Sequence, residues 1–145
     1  MSNGEYIGGH ILSYDGLPLH MKFSDDYSHG TLLKPFNANC FGYCVNIPEG
    51  FVSDWASIPA WLWWFAAPFG PHAPAAVVHD FLYSQASSGI VDFFTRLNVD
   101  RTFDEHLRVL GVSMFKRYAM FQAVRLFGGK AWRRVQDAGQ VNPFR

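Results

Sequence analysis

The chain has 145 residues, a formal net charge of +0 and 49% hydrophobic residues, which suits one domain with one core and excludes a disordered chain. No apolar run reaches bilayer-spanning length, two cysteines cannot build a disulfide scaffold, and Met1-Ser2-Asn3-Gly4-Glu5 lacks a basic-then-apolar leader, so neither a transmembrane segment nor a signal peptide is expected. The charge is uneven: residues 1–57 hold 2 basic and 6 acidic residues (net −4), and residues 58–145 hold 10 and 6 (net +4).

Residues 1–52 read as β-rich. Stretches 30–36 and 40–47 carry aromatic and branched residues between Asn, Gly and Pro-Glu-Gly punctuation. Cys40 and Cys44 in one extended strand would lie ~13 Å apart, so neither a local disulfide nor a zinc pair is expected, although Gly42 would allow a bend. Residues 53–145 read as helical. Ser57-Ile58-Pro59 opens a short helix over 60–65, stopped between Pro68 and Pro71. Pro74 opens a second, running from about Ala75 to Gln85. A third runs from near Asn98 to Leu110, with Phe103, Leu107 and Leu110 as its apolar stripe and Gly111 as its stop. A fourth runs from Ser113 to Phe127, closed by Gly128-Gly129, with a further turn possible over 130–135. The fold class is therefore α+β: a small N-terminal antiparallel β-sheet followed by three to four packed helices in a single domain over 1–145.

The strongest local signal is His79-Asp80-Phe81-Leu82-Tyr83, on a helix of otherwise small or apolar residues. Adjacent helical residues point about 100° apart, so His79 and Asp80 serve different partners, while Tyr83, four residues on, shares the face of His79. Asp100 on the next helix could bind one ring nitrogen of His79 if the two helices pack antiparallel. The other nitrogen would then be the base that deprotonates water. Asp104 is the competing carboxylate. The alternative is a buried polar network that only fixes helix register.

Asp54 sits at the sheet-to-helix junction, as a helix cap or, with Asp80, as an oxygen ligand for Ca²⁺ or another divalent cation. Ser57 is a cap rather than a nucleophile, since no nucleophile elbow surrounds it. Trp61-Leu62-Trp63-Trp64-Phe65 holds too many large aromatics for one core face, so at least one Trp is expected at the surface, for a partner chain or a membrane headgroup layer. Lys116, Arg117, Arg125, Lys130, Arg133 and Arg134 form a basic tract with no acid between Ser113 and Val135, which suits phosphate or simply a solvated face. No nucleic-acid motif accompanies it, so nucleic acid is not an expected partner. Of the other histidines, His72 is the only nearby second candidate, and His106 is expected to face its charged neighbours.

Gly50-Phe51-Val52-Ser53-Asp54 with Ala56-Ser57-Ile58-Pro59, then Ala76 through Tyr83, Asp100-Arg101-Thr102-Phe103, and Arg125 through Gly129 with Ala131-Trp132, together resemble a phage and prophage family catalogued as domain of unknown function 1353. That resemblance implies a viral or prophage origin and no known activity. More loosely, His79, Asp80, Tyr83 and Asp100 are similar to the His-Asp-X-X-Tyr helix and partner aspartate of phospholipase A2 enzymes. This implies His79 activating water, Asp100 orienting it and Asp80 binding Ca²⁺. The chain departs from those enzymes in lacking their glycine-rich calcium loop at the usual distance and their disulfides, so a metal site would need Asp54.

Three functions follow as expectations. One is a phage-encoded, cation-dependent lipid ester hydrolase acting at the host envelope on an anionic lipid surface. The second is a non-catalytic virion component of tail or baseplate that packs on other virion proteins or on itself. The third is a metal-dependent cell-wall hydrolase. Each places the chain in the virion, or in host cytoplasm before assembly.

Overall fold

The computed structural model describes residues 19–25, 29–40, 43–53, 72–85 and 95–133. The expected short helix over 60–65, its tryptophans Trp61, Trp63 and Trp64, and Asp54 and Ser57 lie outside these residues.

The architecture is α+β in the expected order. Among the described residues five short strands come first: β1 (Met21–Phe23), β2 (Gly30–Leu32), β3 (Phe36–Cys40), β4 (Tyr43–Ile47) and β5 (Val52–Ser53). Three helices follow: α1 (Ala73–Ser84), α2 (Arg96–Val109) and α3 (Met114–Phe127). Residues 129–133 add a final helical turn. Among the described residues the strands pair antiparallel as a three-stranded β1-β2-β5 and a hairpin β3-β4.

The stretch 40–47 is not one strand. Cys40 pairs with Tyr43 and Asn39 with Cys44, so the chain reverses between positions 40 and 43. Alternation along each strand then sends Cys40 and Cys44 to opposite faces of the hairpin. Both thiols are free, Cys40 buried and Cys44 exposed, and burial first, with the neighbouring Cys44 second, pushes the Cys40 thiol up to about 12. At the other turn, Gly50 adopts φ +88°, and its N–H donates to Leu32 O at 2.8 Å. This returns the chain to pair β5 with β2, so the strands reach Ser53 rather than stopping at the expected boundary of 52.

Helix boundaries follow local chemistry. Thr95 and Ser113 cap α2 and α3, their hydroxyls accepting from the N–H groups of Asn98 and Lys116. The Thr95 cap starts α2 two residues before the expected Asn98. Gly111, at φ +81°, ends α2, with its N–H donating to Arg108 O and the Val112 N–H to Leu107 O. A left-handed residue at this point is most easily supplied by glycine. Pro74, without an N–H to lose, sits in the first turn of α1.

One buried cluster joins both halves of the chain. Leu32, Phe36, Ala38 and Ile47 from the strands meet Val77, Val78 and Leu82 of α1, Val99, Phe103 and Leu107 of α2, and Met120 and Val124 of α3. Helix α1 is buried nearly all round, which explains its run of Ala and Val. It packs on α2, and α2 packs on α3. Phe81 meets Phe51 edge-to-face at 5.3 Å, which docks α1 beside β5.

Candidate functional site

His79 and Tyr83, four residues apart on α1, both face α2. His79 lies 4.8 Å from Phe103, ring centre to ring centre and tilted by 44°, and meets Asp100, whereas Tyr83 reaches back to Arg96. As α1 advances, its partners on α2 recede in number, so the two helices run antiparallel, as the dyad requires. His79 Nε2 lies 2.7 Å from Asp100 Oδ1, and Tyr83 Oη donates to the same oxygen at 2.8 Å. The side chain of His79 is 1% exposed and that of Asp100 0%.

Two arginines complete the network. Arg125, near the end of α3, donates from Nη1 to Asp100 Oδ2 at 2.6 Å. Arg96, one turn before Asp100, donates from Nε to Tyr83 Oη at 3.1 Å and from Nη2 to the carbonyls of Val124 and Arg125, both at 2.7 Å. Arg96 thus adds a second donor to the Val124 carbonyl, which already accepts from the Gly128 N–H at 2.9 Å, and it ties α1, α2 and α3 together.

The electrostatics assign the protons. Burial alone would raise the carboxyl of Asp100, but hydrogen bonds from His79, Tyr83 and Arg125 and the charge interaction with His79 hold it below its ordinary value. Burial, then the charge of Asp100, pushes the Tyr83 phenol up, so it stays a donor. An ionised carboxylate can only accept, so Nε2 of His79 carries a proton in either charge state, and in the neutral ring the lone pair is then on Nδ1. This is the tautomer a water-activating histidine needs.

Asp80 leaves the helix on another side, as expected from its position beside His79, and there accepts a short hydrogen bond from the Ser53 hydroxyl of β5. Asp104 does not compete for His79; it accepts from Arg117 Nε at 3.0 Å. Among the described residues no group of three His, Cys, Asp or Glu side chains could hold a metal ion. The expected cation ligand pair needs Asp54, which lies outside them.

Two readings of the sequence are corrected here, and one residue of the network is new. The basic tract is not one solvated surface, because Arg117 and Arg125 turn inward to Asp104 and Asp100. His106 does not face its charged neighbours. It is fully buried, with Nε2 2.9 Å from the carbonyl oxygen of Asn39, and so pins α2 to β3. Arg96 was not a candidate at all.

Gly128 is not only a helix stop. Its φ of −73° is ordinary, and the helical path resumes at 129. A Cβ there would lie 2.5 Å from Val124 O and 2.8 Å from Tyr83 Oη, so its bare Cα lets the end of α3 approach the phenol. Gly128→Ala is expected to cost about 2 kcal/mol in urea denaturation by overpacking. Gly129→Ala should cost clearly less, because the nearest atoms to its Cβ belong to the Arg96 guanidinium, at 3.3 Å and beyond, with no backbone atom as close as at Gly128. Equal losses at the two positions would contradict this role.

The site is thus a buried His–Asp–Tyr constellation, braced by two arginines, in a three-helix layer beside small antiparallel strands. The chain belongs to the family described as Protein of unknown function (DUF1353), whose model matches residues 31–124. That span takes in the dyad, Tyr83, Asp80 and Arg96, and ends one residue before Arg125. No curated protein and no solved structure matches the chain.

Proposed function

We propose that the protein is a phage-encoded hydrolase of carboxylic esters, with phospholipid at the host envelope as its substrate class and His79 as general base. The observation that carries the reading is the 2.7 Å contact of His79 Nε2 with a carboxylate held ionised by Tyr83 and Arg125. His79 Nδ1 takes a proton from water as the water oxygen attacks the ester carbonyl carbon. Asp100 stabilises the imidazolium that forms, and Tyr83 and Arg125 keep the carboxylate in place. The imidazolium then returns the proton to the leaving alkoxide as the acyl C–O bond breaks, giving a fatty acid and a lysophospholipid. A divalent cation such as Ca²⁺ held by Asp80 and Asp54 would supply positive charge for the oxyanion.

The test is product analysis. The protein incubated with phosphatidylglycerol vesicles should release fatty acid and lysophosphatidylglycerol in equal amounts, and chelation should suppress the release at least tenfold if Asp80 and Asp54 hold the cation. Intact lipid at every protein concentration, with and without Ca²⁺, would sink the hydrolase.

The second reading is a non-catalytic virion component, and the burial of the dyad favours it. A His–Asp pair with side chains 1% and 0% exposed also serves to fix the register of α1, α2 and α3. The same assay separates the two readings, because that protein would leave the lipid unchanged.

A further inference from the structure

Helix α3 carries a second apolar face that the core does not use. Met120, Ala123 and Val124 are buried. Met114, Phe115, Tyr118 and Leu126 are 78%, 79%, 66% and 73% exposed. At 100° per residue these four fall within about one third of the helix circumference, away from Met120 and Val124. Four large apolar side chains along one helix of roughly 21 Å are more than scattered surface residues account for.

The charge around this face selects its occupant. No acidic residue occurs between Ser113 and Val135. Of the cations there, Arg117 and Arg125 are neutralised by Asp104 and Asp100, whereas Lys116, Lys130 and Arg133 are exposed. Lys130 and Arg133 stand exposed in the short helical turn over 129–133 that follows Leu126 after Gly128. A second copy of the chain packed on α3 through its own α3 would bring like charges within a Debye length of about 8 Å. An anionic surface would receive the apolar side chains and neutralise the cations together.

We propose that this outer face of α3 docks the protein on an anionic lipid bilayer, lying in the interface with Phe115 and Leu126 among the acyl chains and Tyr118 at the headgroup level. The docking is independent of the hydrolase reading, since none of these residues belongs to the buried network.

Flotation with vesicles of ether-linked phosphatidylglycerol, which no esterase cleaves, reads binding apart from hydrolysis. The wild-type protein should float with these vesicles and stay in solution with ether-linked phosphatidylcholine. Phe115→Ser with Leu126→Ser should lower the partition coefficient at least tenfold. Lys130→Glu with Arg133→Glu should lower it about fivefold or more per cation removed. Thermal unfolding of each variant confirms that it folds, and the charge variant stands by itself if the apolar one does not. Failure of the wild-type protein to float, or equal flotation of folded variants, would overturn the proposal. So would a concentration-dependent dimer in sedimentation that the Phe115/Leu126 variant abolishes, because the face would then belong to a second copy. Because exposed cations contribute to the docking, flotation should weaken as salt is raised.

Discussion

Asp100→Ala is expected to destabilise the fold by about 3–5 kcal/mol, the range for removing one partner from a buried charge network. The carboxylate receives His79, Tyr83 and Arg125 with no solvent exposure of its own. Arg125 is 29% exposed and recovers some of its hydration when the carboxylate goes. The ring N–H of His79 and the phenol of Tyr83 are buried and recover little. Asp100→Asn should cost less, about 2 kcal/mol. The amide oxygen can still accept from His79 and Tyr83, but its NH₂ then faces the guanidinium of Arg125, donor against donor.

The same network sets an acid limit. The carboxyl of Asp100 is depressed in the folded state. Its contribution is therefore complete above the unfolded carboxylate value of about 3.9 and is lost as pH falls through the lower folded value. The stability gap between wild type and Asp100→Ala, from urea denaturation, should close progressively as pH falls below about 4. A gap unchanged at pH 3 would mean that Asp100 is not ionised in the native protein.

What could be read ahead of the structure follows the range of the interaction. His79 and Tyr83 share a helix face by spacing alone, and the next helix offered two carboxylates from which Asp100 could be chosen. Both arginines were hidden for a physical reason. A long, flexible cation among polar neighbours has the same local pattern whether it snorkels to water or folds back onto a buried carboxylate. Arg125 reaches Asp100 across 25 positions of chain. Glu105 and Arg108 misdirected the reading of His106, yet the signal was there: 99, 103, 106 and 107 form one helical stripe, and Val99, Phe103 and Leu107 are core residues. The hairpin was missed because residues 40–47 are uniformly β-formers apart from Gly42 and Asn46, so composition marked strand without marking where it turns. The start of α2 was missed for want of weight on Thr95, whose hydroxyl supplies the cap.

The burial that makes the network stable is also what divides a catalytic dyad from a structural one. A structural histidine at this place needs only to donate from Nε2 to Asp100. A general base needs in addition a basic Nδ1. Glutamine at position 79 can donate its amide N–H to the carboxylate but has no group that takes a proton from water near neutral pH.

The most direct measurement is therefore the rate of fatty acid release from phosphatidylglycerol vesicles by wild-type protein and by His79→Gln, each paired with its urea denaturation curve. With His79 as general base, the glutamine variant should stay folded, within about 2 kcal/mol of wild type, and lose hydrolysis by about 10² to 10⁴-fold, the range expected for removing a positioned base. A folded glutamine variant that releases fatty acid as fast as wild type would contradict that role. So would a wild-type protein that releases none, and His79 would then be a packing residue that holds three helices in register.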